Sequence, residues 1–330
     1  MENAGYVGAL DIGGTKMLAG IIDGAGELMA RKRIETQAAR GATEVIARAA
    51  SLMRDLVQET GMATDNLVGI GCSVPGPLDS ARGTVIFSPN LAWRDVPLAA
   101  MLSEALGVPV KIEDDARCAA LGEARRGGAR GAQNAVYVTI STGIGGGVIV
   151  NGRIYRGSHG CAGEVGHMTL DASGPPCACG NMGCFESLAS GSAIAARARQ
   201  AVLHGDETLL ARFCGEPALL TAEQVIDAAN RGDGVALRIL ETAAMYTGIG
   251  LAAIATACDP EVIVLGGGVI QPNGLFLRRA REIFQARVIA PLGSLVRIVP
   301  AELGDESGLW GAAALMNNNE SLATRQVIDV

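Results

Sequence analysis

The chain alternates short apolar runs with longer stretches in which apolar residues recur every three or four positions. The runs Tyr6–Leu10, Met17–Ile22, Leu67–Ser73, Val108–Glu113, Ala135–Ile140, Gly147–Val150, Glu261–Leu265 and Leu295–Val299 predict strands. Helical spacing links Ile46, Ala49, Ala50, Met53, Leu56 and Val57, and Gly61 is placed to end that helix. The same spacing predicts helices over Asp115–Arg126, Ser192–Leu203, Ala222–Ala229, Val235–Ala257 and Leu275–Arg287, with a closing helix over Leu309–Met316. Strands interleaved with helices predict an α/β fold. GALDIGGTKMLAGII and VTISTGIGGGVIV share one plan, about 130 residues apart: apolar strand, small polar residue, glycine-rich turn, apolar strand. Such a pair suits the two sides of a phosphate chain across a cleft, or is two ordinary hairpins; the pattern alone leaves both open. The polar segment Asn317–Val330 is expected to fray.

Composition narrows the picture. A length of 330 residues is enough for two lobes, each with its own core. The net charge of −7 argues against a nucleic-acid binder that works by bulk positive charge. No basic segment precedes an apolar one at the N-terminus, so no export signal is expected. The most apolar stretch, Ala243–Ala257, is interrupted by Tyr246, Thr247, Gly248 and Gly250, and it falls short of the ~20 residues that span a bilayer. It is expected to be a buried helix. A cytoplasmic chain keeps its cysteines reduced, so clustered cysteines point to metal rather than disulfide.

Three glycine turns follow apolar runs. In the first, Gly13, Gly14 and Thr15 present backbone N–H groups to an anion, Asp11 offers an oxygen to orient Mg²⁺, and Lys16 adds positive charge. In the second, the Thr142 hydroxyl can donate to a phosphate oxygen, and Gly143 lets it come close. The third is Gly266, Gly267 and Gly268. None matches a Walker A loop. Together they predict a nucleotide-phosphate site.

His167, Cys177, Cys179 and Cys184 form H-x9-C-x-C-x4-C, a donor set for a closed tetrahedral zinc site with a structural role. The intervening SGPPCACGNMGC has little apolar mass and needs a cross-link to hold a shape. Cys72, Cys118, Cys161, Cys214 and Cys258 are scattered and read as core. Asp114 and Asp115 follow a strand and open a helix, where ligands of α/β sheets collect. Glu164 and Glu186 bracket the cysteine cluster and suit sugar hydroxyls.

With these residues in view, the chain resembles the ROK family (repressors, open reading frames and kinases) from about residue 6 to about residue 316. EVGH followed by CACGNMGCFE looks like the family signature; DIGGTK, STGIGGG and VIVLGGG fall in family order. The resemblance implies a two-lobed hexokinase/actin-like (ribonuclease H-like) ATPase fold with a central cleft. The small lobe is expected over 1–118, completed by 308–330, and the large lobe over 119–307. It implies Asp115 as the base for the sugar 6-hydroxyl, and Gly76, Asn90, Asp114, Glu164, His167 and Glu186 as sugar contacts. His167 would offer one ring nitrogen to zinc and the other to the sugar. Gly13, Gly14, Thr15, Thr142 and Gly143 would meet the phosphates, and Gly266–Gly268 the adenosine. ATP with Mg²⁺ would be the donor, and a homodimer or homotetramer the assembly. The chain departs from the family's Asn-Asp-Ala-Asn around the base: Asp114 and Arg117 replace the two asparagines. Asp114 cannot donate as Asn does, and Arg117 is placed to pair with it.

The motifs SPNLAW and SVPGPLD resemble glucokinase members, so a glucose kinase is expected; the runner-up is an N-acetylglucosamine or N-acetylmannosamine kinase. A sugar-sensing regulator would carry a helix-turn-helix before the kinase-like part, for which the position of DIGGTK leaves no room. A non-catalytic sugar-binding module is countered by Asp115 and the three glycine turns.

Overall fold

The computed structural model describes residues 5–62, 66–213 and 216–316. These form two compact units, one of Met1–Arg125 with Glu306–Val330, the other of Arg126–Asp305.

The first unit begins with β1 (Tyr6–Ile12), β2 (Lys16–Ile22) and β3 (Leu28–Glu35), then α1 (Ala42–Glu59) and β4 (Leu67–Val74). The short strands β5 (Leu78–Asp79), β6 (Thr84–Ser88) and β7 (Trp93–Val96) make a separate antiparallel sheet. α2 (Leu98–Leu106), β8 (Val110–Asp114) and α3 (Asp115–Arg126) follow. The main sheet runs β3-β2-β1-β4-β8. β1 is antiparallel to β2 and parallel to β4, which is parallel to β8. One face of α1 buries Val45, Ile46, Ala49, Met53 and Leu56 in a core with Leu10, Ile12, Ile70 and Trp93. Gly61, at φ 71°, stands where α1 stops and donates its N–H to the Gln58 carbonyl.

The second unit opens with β9 (Ala135–Ile140), β10 (Ile144–Val150) and β11 (Arg153–Ile154). A long loop leads to α4 (Phe185–Ala189), α5 (Gly191–Leu203), α6 (Ala222–Asn230) and α7 (Gly234–Cys258). β12 (Val262–Gly266), α8 (Leu275–Arg287), α9 (Ala290–Leu295) and β13 (Arg297–Pro300) complete it. Its sheet order is β11-β10-β9-β12-β13, antiparallel through the first three strands and parallel through the last three. This is the order and direction of the first unit's sheet, so the two hairpins with a shared plan open two sheets of one topology. α7 is long and apolar enough to cross a membrane by length and composition, yet 61% of its most apolar window is buried within the protein. Ile239, Leu240, Ala243, Leu251 and Ile254 of α7 join Phe185, Val225, Ile263 and Phe284 in the core.

α10 (Ser307–Ala314) belongs to the first unit and packs across β1 and β4. Its close approach depends on glycines. A Cβ on Gly71 would fall inside the Ala312 carbonyl, and one on Gly311 inside the Cys118 carbonyl of α3. Leu309, Ala312 and Ala313 then cover Val7, Ala9, Leu18 and Ile22. Ser307 Oγ donates to the buried Glu123 carboxylate at 2.8 Å.

Several expectations change. A boundary after residue 118 would cut α3, an unbroken helix; the units part at Arg125/Arg126 and at Asp305/Glu306. The strand expected at Leu295–Val299 is Arg297–Pro300, because Pro291 at the start of α9 favours one more helical turn first. Cys161 and Cys258 are exposed rather than core, whereas Cys72 and Cys118 are buried; Cys214 and Asn317–Val330 lie outside the described residues.

Candidate functional site

In the first unit, β1 delivers Asp11 to its carboxyl end, where the carboxylate accepts from Ser73 Oγ at 2.6 Å. Gly308 of α10 lies beside it, so close that a Cβ there would stand 2.9 Å from the carboxylate. Gly13 N–H donates to the Lys16 carbonyl at 2.9 Å and closes the DIGGTK turn. Thr36 holds the turn from outside: its Oγ1 donates to the Gly13 carbonyl at 2.6 Å and its N–H to the Thr15 carbonyl at 2.8 Å. Thr15 and Lys16 are exposed. A Cβ on Gly14 would stand 2.9 Å from the Asn90 carbonyl, so the turn and Asn90 are neighbours. Asn90 sits on a short helical turn, Pro89–Leu91, between β6 and β7. Gly76, at φ 109°, backs onto the Phe87 carbonyl and has no room for a side chain.

β8 runs directly into α3. The Asp114 carboxylate accepts from the N–H groups of Ala116 at 3.1 Å and Arg117 at 3.2 Å, so it caps the helix. Asp115 Oδ1 accepts from Ala116 N–H at 2.8 Å. Arg117 is buried and pairs with the fully buried Glu113, Nε to Oε1 at 3.0 Å. Its distance to Asp114 Oδ1 is 4.0 Å. The expected Arg117–Asp114 pairing is thus secondary to a pair with Glu113, near the end of β8. Burial pushes the Cys118 thiol up, and the negative charges of Glu113, Asp11 and Asp114 push it further.

In the second unit, Ser141 N–H donates to the Gly143 carbonyl at 2.9 Å and closes the STG turn. Glu186, on α4, lies over that turn: Oε2 accepts from Ile144 N–H at 2.8 Å, in the space a Cβ on Gly143 would take. The start of α5 meets the same turn, Gly191 N–H donating to the Ser141 carbonyl at 2.7 Å and Ser192 N–H to the Thr142 carbonyl at 3.2 Å. Gly267, at φ 93°, crosses the end of β9, and Val269 N–H donates to the Ile140 carbonyl at 3.2 Å. Thr142, Gly143, Glu186 and Gly266–Gly268 thus gather at the carboxyl ends of β9 and β12, the usual ligand edge of a parallel sheet.

His167 and the three cysteines come from one loop. Glu164 precedes a short helical turn, Val165–His167, and both Glu164 and His167 are exposed. Cys177 closes a turn with Gly180 at 3.0 Å, and Cys184 leads into α4. The four donor atoms lie within 4.8 Å of one another. Cys179 Sγ and Cys184 Sγ are 3.7 Å apart, and Cys177 Sγ and His167 Nδ1 3.8 Å. Two thiolates bound to one tetrahedral zinc at about 2.3 Å lie about 3.8 Å apart, so the donor set and spacing fit zinc. Nδ1 faces the cysteines, which leaves Nε2 for another partner. Burial, and then the neighbouring Cys177 and Cys179, push the Cys184 thiol up to about 12.

The duplicated sheet, with glycine turns at its leading hairpins, is the fold of the actin-like ATPases, and solved ROK hexokinases share it. The ROK family model matches residues 7–319, and the chain belongs to that family. It is 34% identical to the glucokinase of Halalkalibacterium halodurans, over 97% of this chain and 97% of that protein. A solved structure of a ROK family glucokinase from Streptomyces griseus, in complex with glucose and AMPPNP, superposes with a TM-score of 0.78 at 34% identity, covering 94% of this chain and 99% of that one. The family's other branch is also represented: the xylose repressor of Bacillus subtilis is 31% identical over 96% of this chain and 78% of that protein.

Proposed function

We propose that the chain is an ATP-dependent glucokinase that transfers the γ-phosphoryl group of ATP to the 6-hydroxyl of glucose. The observation that carries this reading is the β8–α3 junction: Asp115 directly follows the strand and holds the first position of a helix, in a chain whose relatives include glucokinases. A carboxylate there accepts the hydroxyl proton as the phosphoryl group arrives, while the rest of catalysis is positioning and charge neutralisation. Asn90, Asp114 and Gly76 are the sugar contacts in the first unit; Glu164, His167 and Glu186 are those in the second. Asp114 reaches the sugar with one oxygen already engaged by two backbone N–H groups, so it contributes acceptance, not donation.

Gly13, Gly14, Thr15 and Lys16 serve the phosphates in the first unit, and Thr142 and Gly143 in the second. Asp11 orients the Mg²⁺ that accompanies ATP, and Gly266–Gly268 lie against the adenosine. The ATP analogue AMPPNP in the Streptomyces griseus enzyme supports ATP as the donor. Zinc held by His167, Cys177, Cys179 and Cys184 cross-links the loop and supplies no reacting group. The working assembly is a homodimer or homotetramer in the cytoplasm, acting without nucleic acid or membrane. The test is ADP release from Mg-ATP with glucose, mannose, fructose, N-acetylglucosamine and N-acetylmannosamine in parallel. Turnover confined to glucose supports the reading; preference for an acetylated sugar moves it to amino-sugar phosphorylation. No turnover with any sugar, together with tight operator-like DNA binding at physiological salt, would replace it with the regulator.

A further inference from the structure

α7 presents two residues one helical turn apart to the loop that carries the metal donors. Gly250 receives the fully buried Phe185 ring, and a Cβ there would stand 2.9 Å from it. Phe185 lies between the donor Cys184 and the carboxylate Glu186, so this contact anchors the loop's exit. Tyr246 serves the loop's other arm: its hydroxyl donates to Asp171 Oδ2 at 3.0 Å. Asp171 is itself woven into the loop. Its N–H donates to the Gly183 carbonyl at 3.3 Å, its carbonyl accepts from Gly174 N–H at 2.9 Å, and its Oδ1 accepts from Ser173 N–H at 3.0 Å. Gly183, at φ 61°, packs so tightly on the Asp171 carbonyl that no side chain fits between them. Cys184 is the next residue.

We propose that Tyr246 is a positioning residue: through Asp171 it ties the metal-donor loop to the core helix and so sets sugar affinity without touching the sugar. The inference rests on the zinc and sugar-contact roles proposed above. Burial and then the Asp171 hydrogen bond raise the Tyr246 hydroxyl's pKa, so it remains a protonated donor at working pH. Part-buried Arg197 of α5 is near enough for the two side chains to influence each other's charge; burial lowers its pKa, and Tyr246 offsets part of that. No ion pair joins Arg197 to Asp171 among the described residues, so the hydroxyl is the link.

Tyr246→Phe removes the hydroxyl and keeps the ring. Zinc transfer from the purified zinc-loaded chain to the coloured chelator 4-(2-pyridylazo)resorcinol is expected to quicken about 10-fold, the scale of losing a hydrogen bond to a charged group. The glucose KM should rise about 5-fold or more while kcat stays within about 2-fold, the split that separates loss of binding from loss of chemistry. Asp171→Asn keeps an acceptor oxygen and should leave both close to wild type, whereas Asp171→Ala should match Tyr246→Phe, with the double variant Tyr246→Phe, Asp171→Ala no worse than either. Zinc transfer and KM unchanged in Tyr246→Phe, with an active zinc-loaded wild type, would overturn the tether alone. A wild-type chain that yields no zinc and phosphorylates no hexose would overturn the functional reading and the tether with it.

Discussion

Asp115 takes the helix N-terminus for itself while Asp114, one residue earlier, does the capping, so adjacent identical residues have different tasks. Asp115→Asn keeps the shape and removes the proposed base; kcat is expected to fall at least ~100-fold, with glucose binding by calorimetry within a few-fold. Arg117 has a different weight. Arg117→Met leaves the buried Glu113 carboxylate without its cation, and urea unfolding should show a loss of about 3 kcal/mol. The double change Glu113→Gln with Arg117→Met should recover much of that loss. The place of Asp115 between a strand and a helix was legible in the sequence, whereas its proposed role as base came from the family resemblance. The partner of Arg117 was not legible, because Glu113 and Asp114 both lie at the end of β8 within reach of it, and only burial selects Glu113. The metal donors were legible for the opposite reason: they fall close together in a segment too poor in apolar residues to serve any core.

At the level of elements, the strands that were read are those with continuous apolar runs, such as β4 and β12, which the structure buries along nearly their whole length. β3 was missed because it is an edge strand that alternates half-buried and exposed residues and carries three basic side chains. The short strands β5–β7 were missed because they are only two to five residues long and glycine, proline and polar residues interrupt them. Asp233 shows what holds a long helix in place. It caps α7 through Ala236 N–H at 2.8 Å and also accepts from Leu209 N–H at 2.6 Å and Thr208 Oγ1 at 2.9 Å. Burial pushes its pKa up, but these hydrogen bonds outweigh that, and the net pKa is lowered. Its stabilisation is therefore complete above the unfolded-state value and is lost as pH falls through the lower folded value. Asp233→Ala should cost about 1–2 kcal/mol near neutral pH by urea unfolding, and the gap to wild type should close in strong acid. Gly71→Ala tests the seat of α10: with the Ala312 carbonyl in the way, a loss of about 2–3 kcal/mol is expected in the same assay.

Across the whole molecule, the repeated hairpin pattern hinted at duplication but left two ordinary hairpins equally open; the shared strand order of the two sheets decides for duplication. The sequence did not reveal where one unit gives way to the other, since α3 runs without a break through the expected boundary. Metal analysis is expected to find about one zinc per chain. Chelation should lower the thermal midpoint and the glucose affinity together, because the metal's binding energy is also folding energy. An active, metal-free preparation would exclude that role. α10 adds an order to the chain's assembly. β1 is synthesised before, and α10 after, all of Arg126–Asp305, so the first unit is completed only once the second has been made. Until then Val7, Ala9, Leu18 and Ile22 face water without the leucine and alanines that will cover them. The second unit is one continuous stretch of chain, whereas the first needs a segment from beyond it to cover its apolar face.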